Sequence, residues 1–467
     1  MDDDVGSPDI ITEASQLEEE LPEEATKDEP TYLDVFKNRE FMKLLSGQFF
    51  SNFGDAIFRI AIMLYVYEIT LSITAMTLVL AAQTIPWIIV GPIAGVFADR
   101  ISRKAIMVGA DIIRGISILI LPFIPNLYGI AALAFILGAA SATFVAPRSA
   151  AIPEITGLRL YVKAISLSQL VFQTLAVLGP LFAAPIYIML GPSTFWITAG
   201  CYFVSAIIIF FTIIPSADRN KEEVITYKVV LKDLKDGFTY LVKHPTVRLL
   251  LFMFTFIIIG TAFAGPLLLP YLFEVKYNAI AFQYFNTPNT LFDVYNPTFK
   301  QIFKDLADRE FGFLGAIAAL GSIAGNLIFG KYEKRIGRPL AITLGTLSIS
   351  AYYFVFLFKP SFYLLLGIGL FNGFLNGMLN LAINALFAEN VPNEVRGRAY
   401  SATNAYIQVF SVLCLSVSGL TADSVGIIAT MTGAGVFLLI TTITILFWTK
   451  FYKFAGEPPK PTLDYAS

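Results

Sequence analysis

The sequence predicts an all-α membrane protein whose twelve transmembrane helices form two pseudo-symmetric six-helix bundles. First, 56% of its 467 residues are apolar and only 15% are charged, whereas about a quarter of the residues in soluble domains are charged. Second, twelve apolar runs match the roughly 20 residues that cross hydrocarbon as a helix. Third, the charged segment Gly95–Lys104 recurs in altered form at Gly330–Arg338, each time between two apolar runs. Such internal repeats are typical of transporters built from two related halves.

The apolar runs divide six and six at a polar segment from Ser216 to Lys243. We expect an acidic, disordered tail over 1–35, an N-terminal bundle over 36–214, a linker with an interfacial helix over 215–247, a C-terminal bundle over 248–450 and a tail over 451–467. The runs occupy residues 42–68, 72–98, 104–123, 128–147, 163–190, 194–214, 248–273, 311–330, 338–357, 361–388, 399–421 and 425–449.

The charge distribution predicts the orientation in the membrane. Residues 1–29 contain twelve acidic side chains and one basic side chain, so the rest of the chain carries nine more basic than acidic residues. The basic residues concentrate in connections on the same side as the tails, whereas the short connections on the other side hold only Lys359. Basic loops stay in the cytoplasm. We therefore expect a multi-pass protein of the cell membrane with both termini cytoplasmic.

One connection on the opposite side is unusually long. Residues 274–310 are rich in Tyr, Phe and Asn, and structureless loops of this length are uncommon. We expect a short amphipathic helix near Phe299–Ala307 that lies against the outer surface, either as a lid or as an insertion without a role in transport.

Several motifs carry a resemblance to a known family. The first charged segment has Gly95, Asp99, Arg100, Arg103 and Lys104 at the spacing Gly-x-x-x-Asp-Arg-x-x-Arg. With the twelve predicted spans, it resembles the loop signature of the major facilitator superfamily, although Ser102 stands where that family usually has glycine. The similarity to the macrolide-efflux and enterobactin-exporter type rests on four further motifs, Ala146–Glu154, Leu178-Gly179-Pro180, Asp236–Pro245 and Asn390–Arg398.

The resemblance implies a gate on the cytoplasmic side. In the superfamily, the acid at the position of Asp99 bonds to the N-terminus of the eleventh helix, where backbone N–H groups favour an anion. The second copy contains Gly330, Arg335 and Arg338 but has Lys334 where the first has Asp99, so the gate should be asymmetric. Both glycines would let helices approach closely. The alternative is that these basic residues only mark topology.

The resemblance also gives a role to Gly179 and Pro180. Proline inside a helix removes a hydrogen bond and kinks or loosens the helix. We therefore expect this motif to kink or loosen the fifth helix. In the superfamily a Gly-Pro motif in this helix is associated with exporters, so the resemblance favours export.

Four charged residues lie at membrane depth. Asp55 is about 16 Å from the inner end of the first span, and Arg59 follows one turn later on the same face. Asp111 and Arg114 lie at a similar depth in the third span. One interpretation is a structural network of Asp55–Arg59 and Asp111–Arg114 pairs. In the other, protonation of Asp55 is coupled to substrate movement, and Arg114 or Arg59 tunes the pKa of Asp55.

Asparagines recur every four residues along the tenth span. Asn372, Asn376 and Asn380 therefore share one stripe, which Asn384 continues. They either line a polar cavity together with Asn52 of the first span or hydrogen-bond to neighbouring helices.

These features predict proton-coupled export of a small amphipathic or hydrophobic compound by alternating access. The alternatives are a lipid or lysophospholipid flippase, an importer, and a receptor or scaffold without transport. We expect a monomer that contacts membrane lipids and does not bind nucleic acid. The sequence has no nucleotide-binding loop, no intramembrane His and no recognisable metal or catalytic motif, so we expect no enzyme activity and no cofactor besides the proton gradient.

Overall fold

The computed structural model describes residues 31–100, 102–214, 245–273, 297–391 and 393–448, with Lys235 and residues 238–239 and 241–243 of the linker. Side chains are not described for 91–100 and for some further helical positions. Most of the acidic tail, the interfacial helix of the linker and the C-terminal tail lie outside the described residues. Throughout the described part the chain is helical and contains no strand.

The helices follow the predicted order closely. The first half contains α1 (Tyr32–Lys37), α2 (Arg39–Thr70), α3 (Ile73–Arg100), α4 (Arg103–Ile120), α5 (Leu127–Leu190) and α6 (Thr194–Phe210). The second half contains α7 (Pro245–Ala264), α8 (Pro297–Ile336), α9 (Arg338–Val355), α10 (Phe362–Asn390), α11 (Asn393–Val425) and α12 (Ile427–Trp448).

Helix α5 combines the predicted fourth and fifth spans. Inside it, Gly157 has a non-helical backbone, with φ +68, a conformation that glycine adopts at no steric cost. The chain therefore changes direction at Gly157. Helix α5 continues through Gly179 and Pro180, and the predicted kink or loosening at this motif stays a prediction. Gly179 allows close packing, since a Cβ there would lie 2.4 Å from the Ala56 Cβ of α2.

Ten segments of the described chain are long and apolar enough to cross a membrane. Helix α7 passes at Gly265-Pro266 into a 3-10 turn, Gly265–Leu267. Proline disfavours an uninterrupted helix at this point. The apolar stretch Phe182–Phe210 runs across the turn between α5 and α6 and counts as one segment.

Two expectations about the edges of the bundles are wrong. The predicted disordered tail ends too late, because α1 begins at Tyr32 with a capping box formed by Thr31 and Asp34. Such a box satisfies backbone donors that the first helical turn leaves free. The predicted separate helix at Phe299–Ala307 is instead the first part of α8, which is continuous from Pro297.

Each half is a bundle with its own contacts. In the first half α2 packs against α5 and α6, and α4 packs against the same two helices. In the second half α10 packs against α8 and α9, and α12 packs against α7 and α9. The halves meet mainly where α3 packs against α11 and α5 against α8. We call the face where α2 begins the tail side and the face where α2 ends the far side.

Helices α8 and α10 make the closest helix contact of the second half. A Cβ at Gly373 or Gly377 would lie 2.0 or 2.2 Å from a carbonyl oxygen of α8. A Cβ at Gly321 or Gly325 of α8 would lie equally close to a carbonyl oxygen of α10. Each helix thus presents a Gly-x-x-x-Gly pair to the other, which lets the two backbones touch.

Candidate functional site

A cluster of charged side chains lies inside the first half, between α2, α4 and α6. Arg114 of α4 donates hydrogen bonds to Asp111, at 2.5 Å, and to Asp55 of α2, at 3.4 Å. The side chains of Arg114 and Asp111 are 2% and 0% exposed, whereas the side chain of Asp55 is 37% exposed. Buried charges are tolerated only when they are paired and hydrogen-bonded. The cluster therefore has a closed part, at Asp111, and an open part, at Asp55.

Hydroxyl groups satisfy the remaining acceptors of the two acids. Ser205 of α6 and Ser51 of α2 donate to Asp111, at 2.6 and 3.3 Å. Tyr202 of α6 donates to Asp55 at 2.6 Å. Asp111 thus accepts bonds from three helices and cannot leave its position without disrupting all of them.

Aromatic rings enclose the guanidinium of Arg114. Its Cζ lies 4.8 Å from the ring centre of Phe144 and 4.7 Å from that of Tyr202. Cations at this distance are attracted by the negative faces of the rings. Tyr202 consequently contacts both charges of the Arg114–Asp55 pair, through its ring and its hydroxyl.

The structure brings three of the four predicted charged residues together. Asp111 and Arg114 pair as expected, but Asp55 pairs with Arg114 of another helix rather than with Arg59 of its own. Arg59 is exposed and takes part in none of the described ion pairs. The expected Asp55–Arg59 pair is therefore wrong, because Arg114 approaches Asp55 from a neighbouring helix.

The predicted fourth span ends at residue 147, so Arg148 of α5 is not among the charges predicted at membrane depth. The helix continues through Pro147 to Gly157 and so carries Arg148 into the bundle, within electrostatic range of Arg114 and Asp55. Its Nε is buried and has no hydrogen-bond partner among the described residues. Prolines are tolerated inside transmembrane helices, and this one does not end the helix.

The asparagine stripe of α10 forms a ladder. Asn380 donates to the Asn376 side chain at 2.6 Å, and Asn384 donates to the Asn380 carbonyl at 2.8 Å. Asn372 accepts from Ser348 of α9 at 3.1 Å. The far end of the stripe thus bonds between helices, whereas Asn380 and Asn384 are exposed. In α2, the Asn52 Nδ2 is buried without a described partner.

One arginine of each charged motif forms ion pairs with helices of its own half. Arg103 forms an ion pair with Glu154 of α5 and donates to the Ala150 carbonyl at 3.0 Å. Arg338 pairs with Glu333 of α8 and Glu389 of α10. Arg335 is exposed. The surroundings of Gly95, Asp99 and Arg100 lie outside the described side chains, so the predicted contact of Asp99 with the eleventh helix stays a prediction.

Two small residues of these motifs differ in their roles. A Cβ at Gly330 would meet Leu381 at an ordinary distance of 3.6 Å, so the expectation that this glycine permits a close helix approach is wrong. Ser102, which replaces the usual glycine of the first motif, accepts a hydrogen bond from the Ala105 N–H at 3.5 Å. It is the N-cap of α4, a position that serine favours.

Loss of the Glu389 carboxylate should weaken the second half in a pH-dependent way. The hydrogen bond from Arg338 lowers the pKa of Glu389 below its ordinary value of 4.5. The pair therefore stabilises the fold above about pH 4.5, and this contribution is lost as the pH falls through the lowered pKa. We expect Glu389→Gln to cost roughly 0.2–1 kcal/mol at pH 7. Thermal unfolding in detergent should show a difference from the wild type that disappears at acidic pH; a difference independent of pH would contradict this assignment.

The described contacts between the halves include a direct link on the far side. At the start of α3, the Thr74 N–H and hydroxyl donate to Asp423 near the end of α11, at 3.3 and 2.5 Å. A Cβ at Gly419 would lie 2.6 Å from the Thr74 Cα, and one at Gly312 of α8 would lie 2.5 Å from the Ala184 Cβ of α5. The two halves are thus packed together at the far side.

Asp423→Ala should weaken this far-side contact. Removing charge-assisted bonds at an exposed site should cost about 1 kcal/mol, which changes a population ratio roughly five-fold. We expect a single cysteine at position 52, in a background without Cys201 and Cys414, to react faster with an impermeant maleimide added from the far side. Ser424→Ala, whose hydroxyl bonds only within α11, is the matched control. Unchanged labelling would show that Asp423 does not hold the far side closed.

The chain matches the family model of the Major Facilitator Superfamily over residues 44–288 and 289–464. It is 26% identical to the uncharacterized MFS-type transporter YfiS of Bacillus subtilis over 45% of this chain and 51% of that protein. It is 22% identical to the multidrug efflux pump Tap of Mycolicibacterium fortuitum over 79% of this chain and 86% of that protein. It is 23% identical to macrolide efflux protein A of Streptococcus pyogenes over 83% of this chain and 90% of that protein.

The fold is also similar to that of solved transporters. The nucleoside transporter NupG, solved as a point mutant, aligns with a TM-score of 0.66 at 12% identity, over 89% of this chain and all of that chain. At this identity the likeness concerns the fold alone. The chain belongs to the Major Facilitator Superfamily.

Proposed function

We propose that the protein is a proton-coupled exporter of a small amphipathic compound, located in the cell membrane with its tail side in the cytoplasm. The observation that carries the proposal is the environment of Asp55. This carboxylate lies deep in α2, is 37% exposed, and is held between Arg114 and the Tyr202 hydroxyl. Ionisable groups at membrane depth are costly and are usually functional.

The two acids of the cluster are suited to different tasks. Asp111 is fully buried and accepts bonds from Arg114, Ser205 and Ser51, so we assign it to holding Arg114 in place. Asp55 is partly exposed and has the longer bond to Arg114, so it can exchange a proton with water. Protonation of Asp55 removes one of the two negative charges that face Arg114. That change favours a different packing of α2 against α4 and α6, which is how a proton can shift a conformational equilibrium.

Alternating access requires contacts that close each side in turn. On the far side, Asp423 binds the start of α3, and on the tail side we expect Asp99 to bind the start of α11. The far-side contact joins a carboxylate of one half to a helix N-terminus of the other half, where backbone N–H groups favour an anion, and the expected tail-side contact would have the same form. The packing at the far side supports a state that opens toward the cytoplasm.

Export is supported by the relatives. Two of them are named as efflux proteins, for multiple drugs and for macrolides. Their identities of 22% and 23% are too low to assign the substrates of these relatives to this chain.

Accumulation in cells tests the direction of transport. Cells that lack the protein and cells that overproduce it would be loaded with fluorescent amphipathic compounds of positive, negative and zero charge. We expect at least one compound to accumulate more in the cells that lack the protein and less in the overproducing cells. Lower accumulation in the cells that lack the protein would instead indicate import. Equal accumulation of every compound would contradict export.

A further inference from the structure

Arg148 is a half-buried cation that pairs with no anion among the described residues. Its Nε is buried and has no hydrogen-bond partner there, and none of the described ion pairs includes it. Asp55 lies within its electrostatic range, but both oxygens of Asp55 are already bonded to Arg114 and Tyr202. An unpaired guanidinium with a buried Nε lowers stability, which indicates that it serves a purpose other than folding.

Two further donors lie at a similar depth. Gln48 uses its Oε1 to accept from Ser168 at 2.9 Å, so its Nε2 is buried without a described partner. The Asn52 Nδ2, one turn further along α2, is in the same situation. Gln48 is nine residues from the start of α2, and Arg148 is nine residues from Gly157, so both lie about 14 Å from the tail-side ends of these segments.

The orientation of α2 connects these donors to the charged cluster. Gln48, Asn52, Asp55 and Arg59 are spaced by three or four residues and therefore share one face of the helix. Asn38, the N-cap of α2, donates to the Ile155 carbonyl of α5 at 3.0 Å, so the tail-side ends of these two segments are in contact and Arg148, about two turns from Ile155, lies near the depth of Gln48. Three unused donor groups, on α2 and α5, thus adjoin one region.

The acids of this region are bonded to Arg114 and not to Arg148. Asp55 and Asp111 both pair with Arg114, whereas Arg148 belongs to none of the described ion pairs. An anion beside Arg148 would supply the partner that the two acids do not.

We propose that Arg148, Asn52 and Gln48 bind a carboxylate group of the transported compound. A carboxylate accepts two parallel bonds from a guanidinium and has further lone pairs for the two amide groups. The proposal rests on the proposed function and narrows its substrate class to amphipathic compounds that carry a carboxylate.

The binding preference can be measured with matched compounds. Purified full-length protein would be titrated with indole-3-acetate, tryptamine and indole-3-ethanol, and with the acid, amine and alcohol forms of a naphthalene scaffold, at constant ionic strength. We expect the acids to raise the melting temperature most and to bind about ten-fold or more tightly than the alcohols, as a charge-assisted bond allows. Alcohols or amines that bind as tightly as the acids, or acids that do not bind, would overturn the proposal.

Variants of Arg148 separate binding from folding. Arg148→Met should raise the melting temperature of the free protein, because it removes a half-buried, unpaired charge, and should abolish the preference for acids. Arg148→Lys should keep part of that preference. Arg309→Gln removes one positive charge at an exposed position and should leave the preference for acids unchanged. A lower melting temperature in Arg148→Met together with an unchanged preference for acids would assign Arg148 a structural role and overturn the proposal.

These experiments distinguish failure of the carboxylate site from failure of the proposed transport function. If a pH gradient drives flux but binding shows no preference for acids, the carboxylate site is wrong and the exporter stands. If acids bind through Arg148 but no gradient drives flux, the exporter is wrong and the binding site stands.

Discussion

Asp55→Asn should abolish transport driven by a pH gradient and leave exchange of substrate across the membrane intact. Asparagine keeps the size of the side chain and can still accept from the Tyr202 hydroxyl, but it cannot bind and release a proton. In proteoliposomes, flux under a pH gradient should fall to the level of protein-free vesicles. Exchange of labelled for unlabelled substrate without a gradient should continue, because it requires no net movement of protons.

The conservative variant Asp55→Glu is the control for this prediction. A glutamate at this position still titrates, so we expect it to retain gradient-driven flux, at a reduced rate because its carboxylate is displaced from Arg114. Undiminished gradient-driven flux in Asp55→Asn would remove Asp55 from the coupling mechanism. Loss of both flux and exchange would show that Asp55 is needed for the conformational change itself.

Arg114→Ala should be the most destabilising substitution in the first half. It leaves the Asp111 carboxylate, which is 0% exposed, without its counter-ion. Breaking a buried ion pair in this way costs about 3–5 kcal/mol. Thermal unfolding in detergent should show a large decrease in melting temperature and a low yield of folded protein.

Two comparisons test this explanation. Asp111→Ala combined with Arg114→Ala removes both charges, so the double variant should be more stable than Arg114→Ala alone. Arg59→Ala removes an exposed arginine and should change the free energy of unfolding by less than about 0.5 kcal/mol. If the double variant were as unstable as the sum of the two single variants, the buried pair would not be the source of the stability.

Much of the fold was predictable because hydrocarbon imposes a strict rule. Backbone polar groups in the membrane must be satisfied within a helix, so apolar runs reveal where the helices are. The same rule identified the cluster, because Asp55, Asp111 and Arg114 stand out as charges at membrane depth. The repeat of the charged segment indicated the division into halves.

The remaining parts of the site have no comparable signal in a single sequence. Ser51, Ser205 and Tyr202 are ordinary residues of transmembrane helices, and only the packing of α2 against α6 shows that their hydroxyls bond to the acids. The contact between Thr74 and Asp423 joins residues 349 positions apart. Arg148 was overlooked because the apolar run ends at residue 147, whereas the helix continues for ten more residues, to Gly157.

The central claim is that a proton gradient drives this transporter, and one measurement tests it directly. Purified protein would be reconstituted into liposomes with an acidic lumen, and accumulation of the compound that responded most strongly in the cell assay would be followed over time. We predict accumulation in the lumen against the concentration gradient, accompanied by alkalinisation of the lumen, and loss of both when an ionophore collapses the pH gradient. Accumulation that is equal with and without the pH gradient would contradict proton coupling.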